Sequence, residues 1–302
     1  MSAGTKIIRL VIGTVLAVAI LVATFALLHR WTYTWGATEA EVQRVLPGDE
    51  LIARTPADAT HAATIDAPPE EVWPWIAQMG DERGGFYSYT FIENLLSGKD
   101  LYHNANTILP QLQNPQPGEG MVMDSLKVHS LEPGKWLLAA QTSKTGNYDW
   151  VWLWHVEPAG SNRTRLLVRM AMRLSLGTSN PAVTTLTDLG SFVMGRRMIQ
   201  GLTLRAEGGT ESAAIEVIEI VLWAAALVAG LGAAVLFVTR RAWQSPLLLG
   251  LAALFALIWF TLWQPSIWLR LVLDVGLFVL LWWVARTTRR PVGAQRQGTN
   301  AV

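Results

Sequence analysis

The stretch that decides the fold is His61-Ala-Ala-Thr-Ile-Asp-Ala-Pro-Pro-Glu-Glu-Val-Trp-Pro-Trp-Ile-Ala-Gln-Met-Gly80. Residues 62–65 are short and apolar enough for a β-strand, and the Asp-Ala-Pro-Pro turn that follows ends it. Glu70 and Glu71 then stand where the first turn of a helix favours negative charge. Apolar residues recur at helical spacing over residues 72–79. The stretch therefore predicts a strand that leads directly into a helix with one apolar face.

Later in the chain the period of the apolar residues changes to two, which is typical of strands. Residues 126–131 and 136–141 predict one hairpin, and residues 148–156 and 164–173 predict a second. In residues 164–173 the apolar side chains share one face, and Arg165, Arg169 and Arg173 share the other, which we expect to face solvent. Sequential hairpins indicate an antiparallel sheet.

Residues 181–205 return to helical spacing and predict a long amphipathic helix. Its apolar stripe contains Leu186, Leu189, Phe192, Val193, Ile199 and Leu202. A second short helix is predicted at 86–96, and residues 97–120 contain too many glycines and prolines for a long element.

The quoted stretch resembles the start of an SRPBCC domain, the START-like, polyketide-cyclase and lipid-transport superfamily. The continuation Arg83-Gly-Gly-Phe-Tyr-Ser-Tyr-Thr-Phe-Ile-Glu-Asn94, with His103-Asn104-Ala105 after it, is similar to a membrane-anchored bacterial branch of that superfamily. The resemblance covers about half of the chain and implies an α+β helix-grip fold. In that fold a curved antiparallel sheet wraps around a long C-terminal helix and encloses an apolar cavity.

Hydrophobic residues make up 51% of the 302 residues and charged residues only 16%, which favours a membrane protein with a soluble part. We divide the chain by its apolar runs of spanning length. The predicted parts are a cytoplasmic N-terminus at 1–6, transmembrane helices at 7–28, 213–238, 246–263 and 267–285, a linker at 29–60, the SRPBCC-like domain at 61–209, and a cytoplasmic basic tail at 286–302.

Basic residues indicate the orientation of this multi-pass protein. Lys6 and Arg9 stand at the start of the first span, Arg240 and Arg241 separate the second from the third, and further arginines follow the fourth. The positive-inside rule places both termini in the cytoplasm and the domain outside the cell membrane. The net charge of +1 argues against a nucleic-acid partner, and the absence of cysteine excludes disulfides and thiolate metal sites.

The candidate catalytic residues are His103, Glu93 and Asp124, which could act as a general acid or base if they met in a cavity. Their spacing in the sequence does not force them together. The alternative is that each is a hydrogen-bonded structural group. The chain has no zinc-hydrolase, phosphate-binding or nucleophile-elbow motif, so we predict no metal and no cofactor, and we favour a binding protein over an enzyme.

Candidate ligand-binding residues fall in two groups. Arg83, Tyr87 and Tyr89 stand beside Gly84-Gly85 and could form the mouth of a cavity or simply a tight turn with packed aromatics. A cavity could also be lined by side chains that the strands and the long helix direct to one side, although a row of aromatics is more often core. These are Trp150, Trp152, Trp154, Met170 and Phe192.

Arg270 and Asp274 stand four residues apart in the fourth span, and the spacing predicts a structural ion pair in preference to an ion pathway.

Three functions remain open. The first is a membrane-anchored module that binds or transfers a lipid or other apolar small molecule, which the resemblance favours. The second is a cyclase- or aromatase-type enzyme. The third is an interaction scaffold for a membrane-protein partner, for which a filled cavity would be the sign.

Overall fold

The computed structural model describes residues 1–55, 58–123, 125–173 and 180–288. The chain forms two compact units. The first, here called the α+β domain, is Leu27–Glu216. The second, the helical unit, combines Met1–Ala26 with Val217 and the residues after it.

Within the described residues of the α+β domain, six strands form one antiparallel sheet in the order β1-β6-β5-β4-β3-β2. The chain returns at each hairpin through a tight turn, such as the one in which Gly134 takes a φ of 79°. The two hairpins expected from the alternating pattern are confirmed. The strands are β1 (Ala59–Ile65), β2 (Gly120–Val122), β3 (Leu126–Glu132), β4 (Trp136–Thr142), β5 (Tyr148–Pro158) and β6 (Thr164–Met172).

The helices of this domain start where the sequence provides suitable N-termini. Thr38 and Glu41 form a capping box at one helix, and Pro69 opens another whose first turn is acidic. The helices are α1 (Ala3–Thr34), whose last residues belong to the domain, α2 (Glu39–Gln43), α3 (Pro69–Ala77), α4 (Thr90–Ser97) and α5 (Pro181–Ala206), with a short 3-10 helix at Pro110–Leu112.

The inner face of the sheet, defined as the face towards α3 and α5, carries the main core. Val72 and Ile76 from α3 share one buried cluster with Ile199 and Leu202 from α5 and with Trp154 of β5. Phe192 is the first large apolar residue of α5 that is buried. The predicted stripe residue Leu186, which precedes it, is 67% exposed. Only the second half of α5 therefore contributes its apolar stripe to this core.

The outer face of the sheet is covered as well, which differs from the expectation that it meets solvent. Arg169 of β6 is 4% exposed because the chain at 41–49 crosses over it. Its guanidinium lies 2.6 Å from Asp49 and donates to the carbonyl oxygens of Arg44, Glu41 and Val42. The segment interpreted from sequence as a linker, 29–60, thus packs part of its length on the sheet.

Helix α6 is Ala213–Thr239, and its residues from Val217 onwards belong to the helical unit. The unit also contains α7 (Gln244–Leu262), α8 (Ile267–Thr287) and the first part of α1. Among the described residues, these four helices are long and apolar enough to cross a membrane. Alanines at the contact between α6 and α7, including Ala229 and Ala253, are fully buried. Such small residues let two membrane helices approach closely.

The expected pair between Arg270 and Asp274 does not form as a hydrogen bond. Arg270 instead lies 3.7 Å from Glu219 of α6 and donates from Nε to the carbonyl oxygen of Pro265. Among the described residues, neither carboxylate oxygen of Asp274 has a hydrogen-bond partner. The spacing of four residues therefore places the two side chains on one face of the helix, but no hydrogen bond connects them.

Candidate functional site

The tryptophan row of β5 faces the inner side of the sheet, as its alternating pattern predicts. The rings of Trp150 and Trp152 stack with centroids 6.2 Å apart, and those of Trp152 and Trp154 are 5.3 Å apart. Trp152 also lies 5.8 Å from the ring of Phe86, and its partner across the sheet is Met170 of β6. The row is thus one continuous aromatic layer on the inner face.

Side chains fill the space between this layer and α5. Trp154, Leu166 and Leu202 are each 0% exposed, and Trp152 is 6% exposed. A void wide enough for a lipid chain would leave part of these side chains accessible, even if it were closed to the outside. These buried residues therefore form a packed core, as aromatic rows usually do, whereas Trp150 and Met170 on the same face are half-buried.

Two indole groups in this layer lack a partner. The Nε1–H groups of Trp150 and Trp154 are buried, and no hydrogen bond reaches either of them within the described part of the chain. A buried donor without an acceptor costs free energy. These two groups are therefore the points of the inner face at which a polar atom would be most favourable.

Tyr87 lies in the core and not at a cavity mouth. It is 0% exposed, and its hydroxyl donates to the carbonyl oxygen of Trp75 over 2.8 Å. Its φ of 59° is a left-handed conformation, held by a hydrogen bond from its backbone N–H to Asn104 Oδ1. A side chain at Gly201 of α5 would clash with the Tyr87 carbonyl oxygen, since an added Cβ would lie 2.1 Å from it. Burial raises the pKa of Tyr87.

Arg83 and Tyr89, the other residues of the expected mouth, also have structural contacts. Arg83 lies 2.7 Å from Glu119 and donates to the carbonyl oxygen of Ala77, which ties its loop to the end of α3. Tyr89 is buried, and the guanidinium of Arg197 lies 5.4 Å from the centre of its ring. The three residues thus join the turn to α3 and α5.

The candidate catalytic residues are not brought together. The side chain of His103 is 70% exposed and lies 3.5 Å from Asp100. Among the described residues, no hydrogen bond or ion pair joins His103 to Glu93. Asp124 lies outside the described residues. No group of three potential metal ligands occurs in the part of the chain that the structure describes.

A small cavity of about 40 Å³ adjoins two of the predicted ligand-binding residues, Met170 and Phe192. His61, 6% exposed, also lines it and shares a hydrogen bond of 2.7 Å with the carbonyl oxygen of Thr32 through Nε2. Burial lowers the pKa of His61 to about 4, so the ring is neutral near pH 7 and its Nε2–H is the donor. A cavity of this size holds a water molecule or two and no lipid.

Arg196 of α5 is a buried cation that the sequence analysis missed. Its guanidinium lies 4.7 Å from the centre of the Trp35 ring and 5.7 Å from that of Trp31. Burial lowers its pKa to about 10. Trp31 also contacts Phe192, with ring centroids 5.1 Å apart. These contacts fix the end of α1 on α5. In the sequence, the aromatic residues after the first predicted span, Trp31 and Trp35, could have indicated them.

Two carboxyl groups meet behind α4, which the sequence could not indicate because they come from distant positions. Glu216 accepts hydrogen bonds from the backbone N–H and the hydroxyl of Thr90 and from Asn104. Glu93 Oε2 is buried, and among the described residues it has no hydrogen-bond partner. Burial, and next the charge of Glu216, raise the pKa of Glu93 to about 8.

Comparison with known proteins gives no family assignment. No protein-family model matches the chain, and no curated protein matches it. Solved structures that resemble it include protein MLL2253 from Mesorhizobium loti, with 14% identity over 51% of this chain and 99% of that one, at a TM-score of 0.30. A protein encoded by gene BPP1335 from Bordetella parapertussis has 13% identity over 53% and 80% of the two chains, at a TM-score of 0.31. A protein from Thermobifida fusca has 12% identity over 52% and 98%, at a TM-score of 0.28. Similarity this remote indicates no function.

Proposed function

We propose that this protein is a membrane-anchored interaction module. Its helices hold it in the bilayer, and its α+β domain offers a folded surface to a protein partner at the membrane. One observation carries the proposal: the inner face of the sheet, where a ligand would be held, is occupied by the protein's own side chains, with Trp154 at 0% exposure. Because the domain has no room for a lipid inside, we place its function on its outer surface, where a protein partner can bind.

The family and topology expected from sequence form part of this proposal. The passage from β1 through the Asp66-Ala67-Pro68-Pro69 turn into α3 supports an SRPBCC relationship. The packing of α5 on the inner face supports a helix-grip arrangement. Lys6 and Arg9 at one end of the first span, and Arg240 and Arg241 after the second, support an extracytoplasmic domain with cytoplasmic termini.

A second candidate, binding of a lipid or other apolar molecule, is favoured by a specific observation. Trp150 and Trp154 hold buried indole N–H groups without acceptors. The carbonyl or carboxylate of a bound molecule would satisfy such donors, provided that the inner face opened to admit it. The packed state then corresponds to the empty form of a carrier.

Native mass spectrometry of the full-length protein, released from membranes of its own host, distinguishes the two functions. The interaction module predicts a broad series of lipid adducts that Trp152→Leu on the inner face does not change. The matched control is Trp268→Leu on α8, where Trp268 is 71% exposed. One retained apolar molecule per chain, lost in Trp152→Leu and kept in Trp268→Leu, would instead establish the carrier.

The partner itself is tested by site-specific photo-crosslinking in the host membrane. Leu186 on α5 is 67% exposed, and a benzophenone amino acid at this position reports on what touches the domain. The proposal predicts a protein adduct of defined mass. The second crosslinking position is Val45, which is 83% exposed on the segment that crosses the outer face of the sheet. Absence of protein adducts at both positions contradicts the interaction module.

A further inference from the structure

Helix α4 exposes an apolar surface that the packing of the α+β domain leaves uncovered. Phe91 is 56%, Leu95 68% and Leu96 80% exposed. Phe91 and Leu95 are four residues apart and therefore lie on the same side of the helix. We call Phe91, Leu95 and Leu96 the α4 apolar surface. Three large apolar side chains on one eight-residue helix form a contact surface and not a scatter of single exposed residues.

The polar residues of α4 point the other way. Glu93 directs its buried Oε2 inwards, and the side chain of Asn94 bonds to the backbone of Leu101 and Tyr102. Glu93 is the only acidic residue of the helix, so the α4 apolar surface itself carries no negative charge. The helix thus has one face bound to the domain and one face suited to an apolar environment.

Within the α+β domain, the start of α4 is bound to Glu216. Glu216, the fourth residue of α6, accepts from the Thr90 backbone N–H at 2.8 Å and from its hydroxyl at 2.6 Å. Asn104 Nδ2 donates to the other oxygen of Glu216 at 3.0 Å. Glu216 is 3% exposed, so these bonds are sheltered from water. The start of α4 is therefore fixed to Glu216, which is the last residue of the α+β domain.

The position of the bilayer along α6 follows from its charges. Glu219 is the last charged residue of the helix, and the uncharged run from 220 to 238 spans roughly 29 Å at about 1.5 Å per residue, close to the thickness of a bilayer's hydrocarbon core. Glu216 then lies about 6 Å before the start of this run, which is the depth of the lipid head groups. Thr90 is hydrogen-bonded to Glu216.

We propose that the α4 apolar surface lies in the membrane interface, with Phe91, Leu95 and Leu96 inserted between lipid head groups and the first part of the acyl chains. Helix α4 then acts as a second membrane attachment, which restrains the α+β domain on the bilayer surface. The partner is the lipid surface itself, because the start of the helix is bonded to Glu216, four residues before the uncharged run of α6, and its outer face is apolar and free of acidic groups. This inference goes beyond the proposed function and holds for a scaffold or a carrier alike.

The chain contains no cysteine, so single labels can be introduced without removing any residue. The test uses the full-length protein in nanodiscs of phosphatidylcholine and phosphatidylglycerol, with a nitroxide at Phe91→Cys or Leu95→Cys. The control is Val45→Cys, since Val45 is 83% exposed but belongs to the segment that crosses the outer face of the sheet. Circular dichroism of each labelled protein verifies that it is folded.

The proposal predicts that oxygen, which concentrates in the bilayer, relaxes the labels at 91 and 95 more than a water-soluble nickel chelate does. The label at 45 should show the reverse order. Labels at 91 and 95 that respond to the nickel chelate as strongly as the label at 45 would overturn the proposal, and would leave the α4 apolar surface for a protein partner. Neither result depends on whether the inner face holds a lipid, so this inference and the proposed function fail separately.

Discussion

The two faces of the sheet are both buried, but by opposite means. On the inner face, Trp154 is 0% exposed among apolar side chains, and its indole N–H has no acceptor. On the outer face, Arg169 is 4% exposed, and its guanidinium bonds to Thr60, to Asp49 and to three backbone carbonyl oxygens. The inner face is therefore stabilised by packing, and the outer face by a satisfied polar network.

The largest expected effect is on the inner face. Trp154→Ala should lower the free energy of unfolding by about 3–5 kcal/mol, because it leaves a cavity in a packed core. Trp154→Phe should cost less, since it keeps much of the volume. Denaturant unfolding followed by near-ultraviolet circular dichroism measures both. If Trp154→Ala were as stable as the natural protein, the inner face would be a deformable pocket and the comparison of the two faces would fail.

On the outer face, Arg169→Met should lower the free energy of unfolding by about 3 kcal/mol, because it removes the buried guanidinium that pairs with Asp49 and donates to three backbone carbonyl oxygens. The matched control is Arg44→Met. Arg44 pairs with Glu157 at 2.8 Å on the surface, and its loss should cost less than about 1 kcal/mol. Equal effects of the two substitutions would show that the network around Arg169 is open to water.

A smaller effect is expected at Glu93, whose Oε2 is buried without a hydrogen-bond partner among the described residues. Its pKa of about 8 in the folded protein lies above the ordinary value of 4.5, so the folded state binds the extra proton between these values. Stability should therefore fall as the pH rises from about 4.5 to about 8.

Glu93→Gln cannot ionise and should remove this part of the pH dependence. At pH 8 the variant should exceed the natural protein in stability by about 1–2 kcal/mol, a value reduced for partial exposure of the side chain, and at pH 5 the two should agree. Unfolding measured at both pH values tests this. A variant less stable than the natural protein at pH 8 would mean that the charged carboxylate has a partner in the folded state.

The smallest effect on stability is expected for the α4 apolar surface. Leu96→Ser should change the free energy of unfolding in detergent by less than about 0.5 kcal/mol, because Leu96 is 80% exposed. The same replacement at Leu202, which is 0% exposed, should cost several kcal/mol by the loss of core packing. A large loss for Leu96→Ser would show that the domain itself covers α4.

Much of the fold follows from local patterns. The alternation in 148–156 and 164–173 predicts β5 and β6 together with the correct faces, and four apolar runs predict the four candidate spans. Helix α5 is predicted as well, with the observed start and an end one residue short of the observed one. These features depend on neighbours in sequence, so a single chain is sufficient to find them.

The rest depends on contacts between distant residues. Arg169 reads as a solvent-facing residue because nothing in β6 indicates that residues 41–49 will cross it. Tyr87, for which the sequence allowed either a cavity mouth or a tight turn with packed aromatics, is buried, and Gly201 lets α5 approach its backbone closely. The meeting of Glu93 with Glu216 likewise depends on how α4 meets the start of α6. Sequence patterns gave the faces of the elements but not what covers each face.

The most direct test of the central claim, that the inner face is filled and holds no lipid, is photo-labelling of the full-length protein in its membrane with diazirine-bearing phospholipid and fatty acid. Mass spectrometry of the digested protein then locates the labels. We predict labels on the four candidate spans and on α4, and none on the β5 peptide that carries Trp150, Trp152 and Trp154. Saturable labelling of that β5 peptide, displaced by excess unlabelled lipid, would contradict the claim and identify the domain as a carrier.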